Sequence, residues 1–171
     1  MNTIDGPFPV TRINVEVPDL PAFKRAYEEA VPAVPAAEIE AMTRRQASWH
    51  EMIDFVNSVA PYGFLIYARI DVDPVMSLAG NHNPCTAYLM GNHTIAERMF
   101  RHDPRVMLYA PLRTVIWGHT DGTAWFTVDQ PSTQFASFGA AQISSVGVEL
   151  DTKLAALLTA LGLKTPATLL G

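Results

Sequence analysis

Residues 112–117 and 123–129 each alternate along the chain, and the five residues between them, Gly118-His119-Thr120-Asp121-Gly122, end in an Asp-Gly pair. A period of two marks a strand with one buried face, and Asp-Gly supplies the positive φ that a short reversal needs. These residues commit the chain to an antiparallel hairpin. Whatever else it builds, part of its sheet must be antiparallel.

The remaining patterns are built around that hairpin. Ile13, Val15 and Val17 alternate with Arg12, Asn14 and Glu16 as in a half-buried strand, which Pro18 ends. Asp19 is placed to cap a helix whose first turn tolerates Pro21 and whose stripe is Leu20, Phe23, Tyr27 and Ala30. Pro32 and Pro35 then punctuate a linker. Ile39, Met42, Trp49, Ile53, Val56 and Ala60 keep a spacing of three and four, as one long helix or two broken near Arg44, with Gln46 interrupting the seam. Residues 64–72 read as a strand with Phe64, Ile66, Ala68, Ile70 and Val72 on one face and Leu65, Tyr67, Arg69 and Asp71 on the other.

A loop with Pro74, Gly80 and Pro84 leads to an apolar run over 87–90. Gly91 turns the chain into an amphipathic helix over 94–103 with Ile95, Met99 and Phe100 inward, and Pro104 ends it. After Pro131 the sequence reads as a loop, then as a helix carrying Leu150, Leu154, Leu157, Leu158 and Leu161 that Gly162 closes. The tail beyond Pro166 is expected to be loose. Strands and helices do not alternate regularly, so the expected fold is α+β with two layers: a mostly antiparallel sheet with helices packed on one face.

At 171 residues with 49% hydrophobic content, the chain suits one domain with one substantial core, taken as 1–171. Its twelve Lys and Arg are scattered and its formal charge is −5, so no basic face exists to neutralise phosphates and no nucleic-acid partner is expected. Only 17% of residues are charged, so the surface is short of charge; covering part of it with a second copy would account for that, and a homodimer is expected. Cys85 is the single cysteine, the N-terminal residues lack the pattern of a signal peptide, and no apolar run approaches a bilayer span. The expected setting is the cytoplasm, away from any membrane.

The stretch Ala87-Tyr-Leu-Met-Gly-Asn-His-Thr-Ile-Ala-Glu-Arg-Met-Phe, then Ala110-Pro-Leu-Arg-Thr-Val-Ile-Trp, then Asp121-Gly through Gln130-Pro131, resembles the DUF302 family of uncharacterised domains. In that family an apolar strand ends in Gly-Asn-Pro or Cys-Asn-Pro, an Ala-rich helix follows, and a Leu-Pro segment opens a hairpin. Tyr62-Gly63-Phe64 leading into Ile70-Asp71-Val72 is similar to its second strand, so the resemblance is strongest over 62–131. Two departures stand out: His93 occupies the family's proline position, and about 32–46 reads as a helical insertion. The resemblance implies a compact two-layer α+β fold and dimerisation, and it implies no activity.

Candidate chemistry begins at Gly91-Asn92-His93-Thr94. A helix start leaves N–H groups without partners, which an anion or carbonyl oxygen would satisfy, and His93 would be the acid or base. The plainer alternative is that Asn92 caps the helix and His93 is solvated. Arg113, at the start of a hairpin strand, offers a donor fork for a carboxylate or phosphate; otherwise it pairs with Asp71, Glu97 or Asp129. Tyr109, Trp117 and Trp49, from an aromatic set that also includes Tyr67, Tyr88 and Trp125, would wall a pocket, or else fill core and interface.

His82 and Cys85 with His93 or His102 form at most half of a metal knuckle, so neither metal nor cofactor is expected. No nucleophile elbow, phosphate loop, dinucleotide fingerprint or His-Glu-x-x-His is present. The leading expectation is a dimeric small-molecule-binding domain, with Asn92, His93 and Arg113 around one hollow and cofactor-free acid–base chemistry by His93. The alternatives are a non-catalytic interaction module and a haem- or metal-binding protein.

Overall fold

The structure is a computed structural model and describes residues 6–170. Five strands form one sheet in the order β1-β5-β4-β3-β2, with every neighbouring pair antiparallel. They are β1 (Arg12–Glu16), β2 (Leu65–Asp71), β3 (Cys85–Gly91), β4 (Leu112–Gly118) and β5 (Ala124–Asp129). The hairpin that the sequence demands is β4–β5, with Trp117 opposite Trp125 and Gly122 in the left-handed region at φ 93°. The fold is α+β, as the pattern analysis expects.

Alternation sets which face is covered. Ile13 and Val15 of β1, Phe126 of β5, Ile116 of β4, and Tyr88 and Met90 of β3 are buried in one core with Phe23 and Tyr27 of α1 (Leu20–Ala30). The long C-terminal helix, α7 (Ala141–Ala160), adds Ile143, Val146, Leu150 and Leu154. Tyr27 carries a hydroxyl into this core, and Thr114 Oγ1 at 3.0 Å and Met90 Sδ at 3.3 Å meet it there. A buried hydroxyl without such partners would be costly.

Several expectations change here. The region after Pro131 is helical, α6 (Pro131–Ala136), and α7 starts nine residues before Leu150, at Ala141. Gly147 is what lets these two helices touch, since a Cβ there would lie 3.0 Å from Ser132 Cα. The tail is tied down by a 3₁₀ turn (Ala167–Leu169), and Leu169 is only 3% exposed. Phe100 is 46% exposed and not inward, because α5 (His93–Phe100) ends there and points it past the core. The loop at Pro74 contains a short helix, α4 (Asp73–Ser77).

The helical segment after α1 is two helices, α2 (Ala36–Arg44) and α3 (Trp49–Val59), and Gln46 at φ 55° breaks them apart. Ser48 and Glu51 form a reciprocal capping box that restarts the chain as α3. The pair builds its own small core from Met42, Met52, Val56 and Ala60 around Leu65 of β2. It therefore covers one corner of the sheet. The linker before α2 lies along the edge of β2, where Val34 N–H donates to the Ile66 carbonyl at 2.9 Å and Ile66 N–H donates to that of Pro32 at 2.8 Å.

Strand β2 departs most from its sequence reading. Ile66 faces Met90 and the next paired residue, Ala68, faces Leu89, so Tyr67 is an extra residue bulged out of the ladder. Beyond it the faces swap. Arg69 and Asp71 turn to the helix side beside Tyr88 and Thr86, while Ala68 and Ile70 turn to the open side. The charges are neutralised where they land: Lys24 reaches Asp71 at 3.1 Å, and Glu28 of α1 takes Arg69 at 3.2 Å and the Tyr88 hydroxyl at 2.7 Å.

Asp151 joins the end of β5, the start of α6, α7 and the tail. Its carboxylate accepts from Gln130 Nε2 at 2.6 Å, from Ser132 N–H at 2.9 Å and from Ser132 Oγ at 2.6 Å, and Gln130 also donates to the Thr168 carbonyl at 2.9 Å. Asp151→Ala would strip both Ser132 donors of their acceptor and leave Gln130 with the Thr168 carbonyl alone. The expected loss is about 3 kcal/mol in urea unfolding; a loss within error of zero would show that water satisfies them.

Candidate functional site

Asn92 is the N-cap of α5, with extended backbone and a buried side chain. Its Oδ1 accepts from Thr94 N–H at 2.9 Å and Thr94 Oγ1 at 2.7 Å, and its Nδ2 donates to the Gly63 carbonyl at 3.1 Å. Asn92 is thus committed to the chain itself, tying α5 to the segment that enters β2. The expected anion site at this helix start is also filled from within, since Ala96 N–H bonds back to the Asn92 carbonyl and His93 N–H donates to the Tyr67 hydroxyl at 3.0 Å.

Tyr67 is the side chain that the bulge in β2 releases. Its oxygen accepts from His93 N–H, which leaves its own hydrogen for His93 Nδ1, 2.6 Å away. That assignment makes Nδ1 an acceptor and puts the imidazole proton on Nε2, which lies 3.3 Å from Met52 Sδ of α3. Three elements thus meet at one ring. Burial holds the His93 pKa below its ordinary value and pushes that of Tyr67 up, and both changes favour the uncharged forms.

Beside this pair is a cavity of about 120 Å³, lined by Tyr67, His93, Ala96, Met107, Ala110 and Pro111 with Asn92 beneath. A smaller void of about 20 Å³ continues from it toward Phe64, Met99 and Tyr109. Gly91 bounds this region. It is the last residue of β3 and not a turn residue; a Cβ there would come within 3.1 Å of Pro111 Cα and Cβ, so the glycine serves close packing.

Arg113 does not share the cavity with His93. It stands exposed on the open face of the sheet opposite Leu89, lining two larger hollows of about 400 and 420 Å³. The nearer hollow meets the His93 cavity only through the shared walls Met107 and Pro111. Among the described residues Arg113 has no ion pair, because its expected carboxylates are engaged: Asp129 by Arg12 at 2.8 Å, Asp71 by Lys24 and Arg69, and Glu97 by Arg101.

The expected aromatic walls also separate. Trp117 lies on the open face, stacked on Trp125, with Nε1 donating to Thr127 at 2.8 Å. Trp49, the first residue of α3, is 43% exposed and lines neither the cavity nor the void beside it. Tyr109 packs against Phe135 and Phe138 and reaches the small void. Cys85 sits at the start of β3, its thiol pKa raised by burial, and among the described residues no three His, Cys, Asp or Glu side chains gather as a metal set. No described helix is long and apolar enough to cross a membrane.

The family model described as "Domain of unknown function DUF302" matches residues 42–161, a span wider than the 62–131 in which the resemblance is legible by eye. It begins within α2, so β1 and α1 precede the matched span. The crystal structure of the uncharacterized conserved protein DUF302 from Bacillus stearothermophilus is similar at a TM-score of 0.62 and 14% identity, over 88% of this chain and 97% of that one. At that identity the likeness is one of fold. No curated protein matches the chain.

The ring nitrogens of His93 bond the Tyr67 hydroxyl and the Met52 sulfur, and among the described residues no ion pair reaches the ring. An unfolded histidine takes a proton near pH ~6.5, before the folded one does, so this residue's contribution to stability is complete above that value and is lost as pH falls through the lower folded value. Between about pH 7.5 and about pH 5.5 the protein is expected to lose more stability than His93→Gln does. Equal losses in urea unfolding would show that the ring is not desolvated.

Proposed function

The chain belongs to the DUF302 family, and on that premise we propose that it is a small-molecule-binding domain whose ligand occupies the cavity between the start of α5, Met107 and Pro111. One observation carries this reading. A cavity of about 120 Å³ stands open beside a histidine whose ring nitrogens are both held by protein partners. Concave, mostly apolar clefts with a few fixed polar groups are where proteins take small ligands. The exposed Met107 forms the outer lip, and its flexible thioether chain is suited to moving aside.

The geometry favours binding over acid–base catalysis. A general base needs a free nitrogen within reach of substrate, whereas His93 Nδ1 is paired with the Tyr67 hydroxyl and Nε2 lies against the Met52 sulfur. His93 is thus a positioning residue that locks α3, α5 and β2 around the cavity. Native mass spectrometry of the freshly purified protein is expected to show a retained small molecule, and Ala110→Leu is expected to lose it. A protein with no retained mass whose thermal midpoint is unmoved by a library of small metabolites would remove the reading.

The open sheet face supports homodimerisation as a second element of the proposal. Leu89, Val115, Trp117, Trp125 and Ile70 share that face, and Val75, Met76 and Leu78 are exposed just beyond β2, Leu78 at 88%. Apolar surface collected on one side of a sheet is the usual signature of a partner. We place this dimer in the cytoplasm, where a lone thiol stays reduced. Val115→Lys is expected to convert a dimer to a monomer in sedimentation velocity, and a wild-type protein that sediments as a monomer at ~100 times the concentration of a typical micromolar complex would rule the dimer out.

A further inference from the structure

We propose that the cavity beside Tyr67 and His93 takes a small, uncharged, apolar ligand, a benzene-sized ring or a branched hydrocarbon group of roughly six to eight heavy atoms. This inference rests on the binding reading above and names its ligand class. It follows from what the walls present. Ala96, Met107, Ala110 and Pro111 offer only carbon and a thioether. The remaining lining residues, Tyr67, Asn92 and His93, turn their polar atoms to one another, to Gly63 and to Met52.

Among the described residues, no lysine, arginine, aspartate or glutamate lines the cavity. An ion entering it would give up its hydration and meet no opposite charge. The N–H groups at the start of α5 offer no substitute, since Asn92 and Tyr67 already bond them. Arg113, the one cation nearby without a partner among the described residues, is directed to the open sheet face. Charge is therefore excluded by the same hydrogen bonds that hold the site together.

Size is set by the volume. An apolar cavity of about 150 Å³ accommodates benzene and stays dry when empty, and the cavity here is about 120 Å³ with the small void beyond it. A single ring fits once Met107 yields; a fused bicycle does not. Water against these walls would find few protein partners, since the lining polar side chains bond one another.

Toluene, benzoate and naphthalene are the probes, with binding followed by the methyl NMR signals of Met52, Met107 and Ala96. Toluene is expected to shift these signals saturably, while benzoate and naphthalene leave them in place. Ala96→Met, which fills the cavity, is expected to weaken toluene binding at least tenfold; Ala96→Val is the smaller filling if the first variant does not fold. Saturable benzoate binding at these methyls, or naphthalene binding equal to toluene, would overturn the ligand class and leave a binding cavity standing. Toluene binding that Ala96→Met and Ala96→Val do not weaken would place the ring elsewhere and overturn the site. Silence toward all three probes, with a retained polar molecule in native mass spectrometry, would overturn only this inference. Silence with nothing retained would remove the binding reading as well.

Discussion

One unpaired residue in β2 decides the arrangement of the whole cavity end of the molecule. Without the bulge at Tyr67 the strand would keep its faces, Arg69 and Asp71 would look out from the open side, and Ile70 would sit in the core. With it, the charges pass under α1, where Lys24 and Glu28 receive them, and the tyrosine swings free of the ladder to hold the start of α5. A bulge costs a ladder bond and is retained where it aims a side chain. Here the aimed hydroxyl occupies both a backbone donor and an imidazole nitrogen, and α3 closes on the same ring through Met52. The corner core around Leu65 follows from that placement, since Leu65 belongs to the face that β2 presents before its faces swap.

Much of this architecture is legible in residue patterns. The β4–β5 hairpin follows from Asp121-Gly122, α1 from its Asp19 cap and apolar stripe, and the α2–α3 break from the failure of the seam at Gln46. Each is a local signal, where a few neighbouring residues suffice. The bulge carries no such signal: a period-two reading continues through Tyr67, and only the partner strand reveals the extra residue. α6 escapes for a related reason, because six residues are too few to show a helical period and its place is set by Gly147 and Asp151 some fifteen and twenty residues further on.

The candidate site shows the same division. Asn92 and His93 stand out because caps and imidazoles have recognisable chemistry, and the structure brings them to one cavity. Arg113 and Trp117 stand out for equally good chemical reasons, yet strand alternation sends them to the opposite face of the sheet. Tyr67, the residue that organises the site, looks like any other strand aromatic. Met52 and Ala96 look like ordinary apolar helix positions. Chemistry marks reactive side chains, whereas a cavity is defined by what is missing between inert ones, and no residue type announces that.

The linker along β2 has a consequence for how copies of this protein meet. A sheet edge with free carbonyl and amide groups invites another strand, and each strand so added exposes a fresh edge, so that growth has no natural end. Here residues 32–34 occupy the start of the β2 edge, and charged Arg69 and Asp71 punctuate the rest. At the far side β1 is five residues long, flanked by Pro9 and Pro18, and carries Arg12 and Glu16. The pairing proposed through the open sheet face, about a twofold axis, would be complete when two molecules had joined. The blunted edges would favour an assembly that stops at such a pair over one that lengthens into a fibre.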